Sequence, residues 1–187
     1  MANKVLFGFS DLYVGTYEID GYGAVVMGTP YHQAGAVGFS PEFSEDLTNF
    51  RADNINYWSA FTGGSAEGDL EVAMFDDEFK TTFLGYIELD DGGLAKVKNA
   101  VKPNVYIAFE IQGDEAARRV IIYNCAFGSI TRAYSTTEET VEPVTETLPV
   151  TINGDNETGI TLVTYEDGDT GYDTLFTNPP APALPSA

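Results

Sequence analysis

Two apolar runs decide the fold class: Val105-Tyr106-Ile107-Ala108-Phe109-Glu110-Ile111 and Arg119-Val120-Ile121-Ile122-Tyr123-Asn124-Cys125-Ala126-Phe127, joined through the turn Gln112-Gly113-Asp114-Glu115. Both are nearly continuous apolar stretches rich in β-branched and aromatic residues, so they are read as a central antiparallel hairpin. This hairpin is expected to be the most buried part of the chain, with Phe109, Ile111, Val120 and Ile122 packed inside.

The flanking signals are also β. Leu12 to Tyr17 and Ala24 to Met27 are short β-prone runs separated by the turn Asp20-Gly21. Residues 68–75 alternate polar and apolar over their first part, the mark of a half-buried strand. Val141 to Ile152 and Ile160 to Tyr165 supply the last strands. One short helix interrupts them. Asp76 is placed to cap it, Asp77 and Glu78 put negative charge at its positive end, Phe79, Phe83 and Leu84 recur at helical spacing, and Gly85 stops it. About two turns cannot stand alone, so the phenylalanine stripe must dock on a sheet. The expected class is all-β with one short helix, a sandwich or partly closed barrel.

Two segments fit no element. Residues 40–64 carry Phe43, Phe50, Tyr57, Trp58 and Phe61 among polar and turn residues, and are read as a long loop. A loop beyond ~12–15 residues is unusual in a compact domain, and one with five aromatics points to an interface; a long strand hairpin is the alternative. Residues 178–187 hold four prolines and are read as a flexible tail after a single domain spanning residues 1–177.

Composition removes several functions. The 187 residues carry 29 Asp plus Glu against 9 Lys plus Arg, a formal net charge of −20, which opposes binding to phosphate backbones and anionic membranes. Residues 136–187 alone hold ten acids and no base. One cysteine, Cys125, and one histidine, His32, exclude an intrachain disulfide and multi-ligand Cys or His metal centres. No apolar run approaches the ~18 residues of a membrane span. The start of the chain lacks the apolar stretch of a signal peptide, so a cytosolic beginning is expected. His32 has no nucleophile motif beside it, Asp169-Thr170-Gly171 follows acids in place of an apolar strand, and the oxygen-rich stretch 167–173 lacks the glycine and glutamate of a calcium loop. No enzyme constellation and no cofactor site are expected.

Six collinear blocks carry a resemblance. Met1-Ala2-Asn3-Lys4-Val5-Leu6-Phe7-Gly8-Phe9, Phe50-Arg51-Ala52-Asp53-Asn54-Ile55-Asn56-Tyr57, Glu67 to Ala73, Asp77-Glu78-Phe79 through Gly85, the central hairpin with Tyr123-Asn124-Cys125, and Ser135 through Leu148 together resemble the major tail proteins of long-tailed, non-contractile bacteriophages, particularly those of Gram-positive hosts. The blocks span roughly residues 1–165. The chain departs from the family at Ala126-Phe127-Gly128-Ser129, where an Arg-Pro is common, and its length leads us to expect no immunoglobulin-like decoration of the kind some members append.

The resemblance implies a structural virion protein with two antiparallel sheets and a flanking helix. Such subunits form hexameric rings that stack into a tail tube, with a tape-measure protein, a baseplate or distal tail protein and a tail terminator as partners, and DNA passes through the lumen. Assembly would occur in the host cytoplasm. A long loop stacks the rings, which makes Phe43, Phe50, Asp53, Asn54, Tyr57, Trp58 and Phe61 its candidate contacts. Excess carboxylate on a lumen wall repels phosphate over about a Debye length, ~8 Å at physiological salt. Alternation along strands puts Asp69 and Glu71 on one face and Glu142 and Glu146 on another, and these four are the candidate lumen acids. The inner tube of a contractile injection or type VI-like system is the runner-up, and a carbohydrate-binding β-sandwich a third possibility.

Overall fold

The computed structural model describes residues 8–52, 55–113, 117–133 and 144–185; along 45–52 and 55–65 the description is of the backbone. In chain order the elements are β1 (Ser10–Ile19), β2 (Val25–Met27), β3 (Tyr31–Gln33), β4 (Ala36–Ala52), β5 (Ile55–Val72), α1 (Asp77–Leu84), β6 (Tyr86–Glu88), β7 (Leu94–Lys96), β8 (Val105–Glu110), β9 (Arg119–Phe127), β10 (Thr131–Arg132), β11 (Glu146–Ile152) and β12 (Leu162–Tyr165). The main sheet runs β2-β1-β8-β9-β11-β5-β4, with β3 also on β1, β12 on β9 and β10 on β11; β6 and β7 pair separately. All pairings are antiparallel. The chain is mostly β-sheet with one short helix, and its sheets are open.

The central pair β8–β9 is apolar along Val105–Ala108 and Val120–Tyr123 because there it separates two cores. Val105, Ile107, Val120 and Ile122 face an inner core shared with Leu12 and Val14 of β1, Leu70 and Val72 of β5, Leu148, Val150 and Ile152 of β11, and the helix. Tyr106, Ala108, Ile121 and Tyr123 face an outer core with Tyr17 and Leu175. Burial on both faces removes the alternation a half-solvated strand would show. Across β1–β8, Gly15 lies opposite Tyr106, and a Cβ at Gly15 would come within 2.3 Å of the tyrosine oxygen. Glycine is what lets that ring lie flat on the sheet.

A bulge in β9 keeps the inner core continuous. Val105 pairs with Cys125 and Ile107 with Ile122, so three steps of β9 oppose two of β8. Asn124 supplies the extra residue in the left-handed region, φ 53°. The extra step resets strand parity, so Cys125 and Phe127 point inward like Val120 and Ile122. The same point is where β9 exchanges neighbours, from β12 at Arg119–Ile122 to β11 at Cys125–Phe127. The Asn124 amide donates to the Gly154 carbonyl at 2.7 Å and holds the corner.

Helix α1 forms where the sequence places it. Phe79, Phe83 and Leu84 are buried, Asp77 and Glu78 lie in the first turn, and Gly85 closes the helix at φ 68°. Asp76 stands at the N-cap position but makes no side-chain cap bond. Phe75 and Phe79 stack at 4.8 Å, and Phe79 also meets Phe127 and Tyr31.

Two expectations about packing are corrected. Val120 and Ile122 are inside, but Phe109 and Ile111 are only partly buried. Strand β8 ends at Glu110, so these residues lie at the rim of the core, where Phe109 leans on Phe9 and Phe39. The proline-rich segment is also not a free tail as far as residue 185. Pro179 and Pro182 are buried, and the Tyr123 hydroxyl donates to the Pro180 carbonyl at 3.0 Å. Proline cannot join a ladder, but its ring still buries apolar area and its carbonyl still accepts a hydrogen bond. Ahead of it, Arg119 lies 4.0 Å from the Tyr172 ring and 4.5 Å from that of Phe176, and Phe176 stacks on Tyr13 at 4.5 Å. This segment is the outer layer that covers the second face of β8–β9.

Candidate assembly surfaces

Residues 40–64 belong to strands, which corrects the long-loop expectation in favour of the hairpin alternative. The β4–β5 ladder runs from Ala36↔Val72 to Ala52↔Ile55. Strand β11 accompanies β5 only along Ala66–Val72. From Glu45↔Gly63 outward the two strands pair with each other, an arm of eight paired positions that would reach about 26 Å when extended. The register slips between Phe43↔Ala66 and Glu45↔Gly63, so a bulge marks the root of the arm. Phe43 sits at that root and is 52% exposed. Phe50 pairs in register with Trp58, and Leu47 with Phe61, while Tyr57 falls at the slip between Phe50↔Trp58 and Arg51↔Asn56. Asp53 and Asn54 lie outside the described residues.

The acidic face comes next. Ala66, Leu70 and Val72 of β5 point into the core, which turns Glu67, Asp69 and Glu71 to the opposite side. Across the ladders Glu67 opposes Glu42 and Thr151, Asp69 opposes Ser40 and Pro149, and Glu71 opposes Gly38 and Thr147. These outward positions hold four acids and no base. Glu42 and Glu67 are both exposed and directly opposed, a like-charge pair that weakens the ladder. Glu71 is half-buried and accepts a hydrogen bond from the Thr145 hydroxyl. Asp69 and Glu71 are therefore brought together on one face, and Glu42 and Glu67 join them without having been singled out.

Glu146 is a correction. It shares the inward parity of Leu148, Val150 and Ile152 and is 4% exposed, so its carboxylate faces the interior and not a wall. It accepts the Phe75 backbone N–H at 2.8 Å, and the Arg132 guanidinium lies 3.4 Å away. Its work is to anchor the entry to α1. Glu142 lies outside the described residues.

A third surface was not singled out from sequence. Helix α1 and the β6–β7 hairpin form a small module on the body, clamped where Gly85 packs against Ala100; a Cβ at Gly85 would approach the Ala100 methyl to 2.7 Å. The hairpin tip and the first helical turn are acidic: Asp77, Glu78 and Glu88 line a shallow groove with Thr81, Gly92 and Leu94, and Asp90 and Asp91 stand beside it. The hairpin base is basic. Lys96, Lys98 and Lys102 are three of the nine cations of the chain, within seven residues. Lys102 donates to the carbonyls of Phe127 and Gly128, and burial, together with nearby Lys96, lowers its pKa. Lys96 and Lys98 are exposed, and Val97 and Val101 between and beyond them are 40% and 93% exposed. The signal that could have marked this surface is the run Lys96-Val97-Lys98-Asn99-Ala100-Val101-Lys102 inside an acidic chain.

His32 lies 4.0 Å from Asp11, and burial raises the Cys125 thiol pKa. Among the described residues no three His, Cys, Asp or Glu side chains gather as a metal site, and no helix is long and apolar enough to cross a membrane. In the oxygen-rich turn, Asp169 accepts the Glu166 N–H at 2.8 Å.

With this geometry in view, the chain superposes on a chain of the PVC sheath–tube complex of an extracellular contractile injection system in the extended state, with TM-score 0.50 and 10% identity over 83% of this chain and 88% of that one. The fold is of the tail-tube type. Two further structures lie just below that score: the tube-terminating cap of the anti-feeding prophage, at TM-score 0.49 and 10% identity over 88% of this chain and 95% of that chain, and the PVC sheath/tube terminator, at 0.49 and 12% over 87% and 98%. No family model and no curated protein matches the sequence. The superposed chain comes from a contractile injection system, whereas the sequence blocks resemble tail proteins of non-contractile phages. At such identities the likeness bears on the tail-tube fold and not on the kind of tail.

Proposed function

We propose that the chain is the structural subunit of a phage-type tail tube, assembled as stacked rings around a lumen that conducts DNA. The observation that carries this reading is the pairing of two costly features on the same strands, β4 and β5. Their near parts display four acids with no cation, and their far parts leave the body as an arm with no third strand among the described residues. A monomer gains nothing from either. In a tube, the acid face lines the lumen and keeps phosphate at a distance, and the arm finds its missing contacts on the adjacent ring. Six-fold rings, stacking on a distal tail protein around a tape measure, and arrest by a terminator complete the reading by resemblance.

The second reading is an inner tube within a contractile sheath, favoured by the superposed chain from a sheath–tube complex. The acid face weighs toward DNA as cargo, since a conduit for proteins has no general need to repel phosphate. Cutting the arm tests the stacking role. Replacing residues 45–62 with a short Gly/Ser turn leaves the ladder at Ala36–Phe43 and Ala66–Val72 in place. The shortened subunit should keep its β-rich spectrum and stay at single rings or smaller. Long tubes from that variant would remove the arm from the stacking contact.

A further inference from the structure

The helix–hairpin module carries opposite charge at its two ends, and this polarity has a consequence for how copies meet. The acidic end comprises Glu78 and Asp77 on the first turn of α1, Asp77 also paired with Lys80 of the same helix at 3.3 Å, and Glu88, Asp90 and Asp91 at the hairpin tip, all five acids exposed. The basic end comprises Lys96 and Lys98 at the hairpin base, exposed and without an ion pair to any described residue, with Val97 and Val101 among them. Strands of three residues separate the ends by about 10 Å. Ile87 and Leu89, 53% and 47% exposed, extend the apolar strip toward the tip.

We infer that this module is a head-to-tail contact between copies of the chain: the Lys96/Lys98 face of one copy seats on the Asp77/Glu78/Glu88 groove of the next. Charge selects the occupant. With a net charge of −20, copies repel over most of their surfaces, and these lysines are a concentrated exception. The groove they would fill measures about 340 Å³ and is lined by Asp77, Glu78 and Glu88. The exposed Val97 and Val101 beside the lysines then leave water in the same step, so the contact combines charge complementarity with apolar burial. Because the two halves are different patches of one chain, the contact is heterologous, and repetition yields a closed ring or an open helix. The inference deepens the tube reading by naming a surface that joins its subunits, and it rests on that reading only for which geometry closes.

Two charge-reversed proteins test it. Lys96→Glu/Lys98→Glu makes both ends acidic, and Glu88→Lys/Asp90→Lys/Asp91→Lys sets three bases at the other end against the remaining Asp77 and Glu78; every altered side chain is exposed, and the partly buried Lys102 is left intact. Sedimentation velocity at low salt should show the parent associating and each variant at least tenfold weaker. An equimolar mixture of the two should recover association, because each end then meets its opposite. Recovery should fade between ~0.1 and ~1 M salt, as the Debye length falls from ~10 to ~3 Å. Variants that associate like the parent, or a mixture that stays dissociated, would overturn the contact. Carbodiimide cross-linking of the unaltered chain, mixed as light and ¹⁵N-labelled copies, reads the same contact without any substitution. Inter-copy links from Lys96 or Lys98 to Asp77, Glu78, Glu88, Asp90 or Asp91 are expected. Tubes whose links lie only elsewhere would overturn the contact and leave the tube reading standing; the expected links without tubes would do the reverse.

Discussion

The Tyr123 hydroxyl donates to the Pro180 carbonyl at 3.0 Å across 57 residues of chain, and this bond joins the centre of the sheet to its proline-rich end. It explains how a segment without ladder hydrogen bonds is held: Pro179 and Pro182 are buried beside it, and Arg119 fixes the preceding turn by donating to the Tyr172 carbonyl at 2.9 Å.

Truncation after Thr177 should therefore destabilise the subunit. Loss of the bond and of two buried prolines is worth roughly 1–3 kcal/mol, and for a chain of this size each kcal/mol moves Tm by about 2–4 °C. Tyr123→Phe removes this bond together with the contact to Tyr165, leaves the prolines in place, and should cost about 1 kcal/mol. An unchanged melting curve for the truncated chain would show that the segment adds nothing to the body.

How much of this was legible follows from what each segment is packed against. Strands β8 and β9 were plain because burial on both faces demands apolar residues at every position, from Val105 to Ala108 and from Val120 to Tyr123. The helix was plain because Phe79 and Phe83 must share one face. Residues 45–63 hid their strand character because β11 does not flank them, so no core imposes alternation. The docking of Pro179 and Pro182 left no periodic trace, since side-chain burial without a ladder has no period. Glu146 looked like one acid among 29, and its burial is visible only once Phe75 N–H and Arg132 are beside it.

Glu146→Ala should lower stability by roughly 2–3 kcal/mol, because it strands a buried backbone N–H and removes one of the groups that hold Arg132. Glu146→Gln keeps an oxygen acceptor for Phe75 and should cost less. Chemical denaturation of the two variants orders them; equal loss would mean that the N–H bond is not what Glu146 supplies.

Asp155 ties the loop between β11 and β12 to β1. Burial alone would raise its pKa, but hydrogen bonds from the Thr158 hydroxyl and N–H, at 2.6 and 2.7 Å, and from the Tyr17 hydroxyl hold it below the usual carboxylate value. A carboxyl depressed on folding contributes stability that is present above its unfolded pKa, about 3.9, and is lost as pH falls through the folded value. The parent should thus lose stability below about pH 4 more steeply than Asp155→Asn, which should be weaker at neutral pH and flatter in acid. Parallel acid profiles of the two proteins would contradict this assignment.

Glu67→Lys separates stability from conduction. It replaces the like-charge pair with Glu42 by an attractive one, so thermal stability should hold or rise. In tubes the same change repeats a cation along the wall, and duplex DNA should then co-sediment with them at low salt and be released as salt rises. Tubes of the variant that ignore DNA as the parent does would place Glu67 away from the lumen.

The most direct measurement is negative-stain microscopy of the purified, unaltered chain at rising concentration. The account predicts hollow tubes of uniform width with a regular axial repeat, or the isolated rings from which they grow. A protein that stays monomeric at every concentration, and adds to no tube when mixed with pre-formed tail ends, would contradict it.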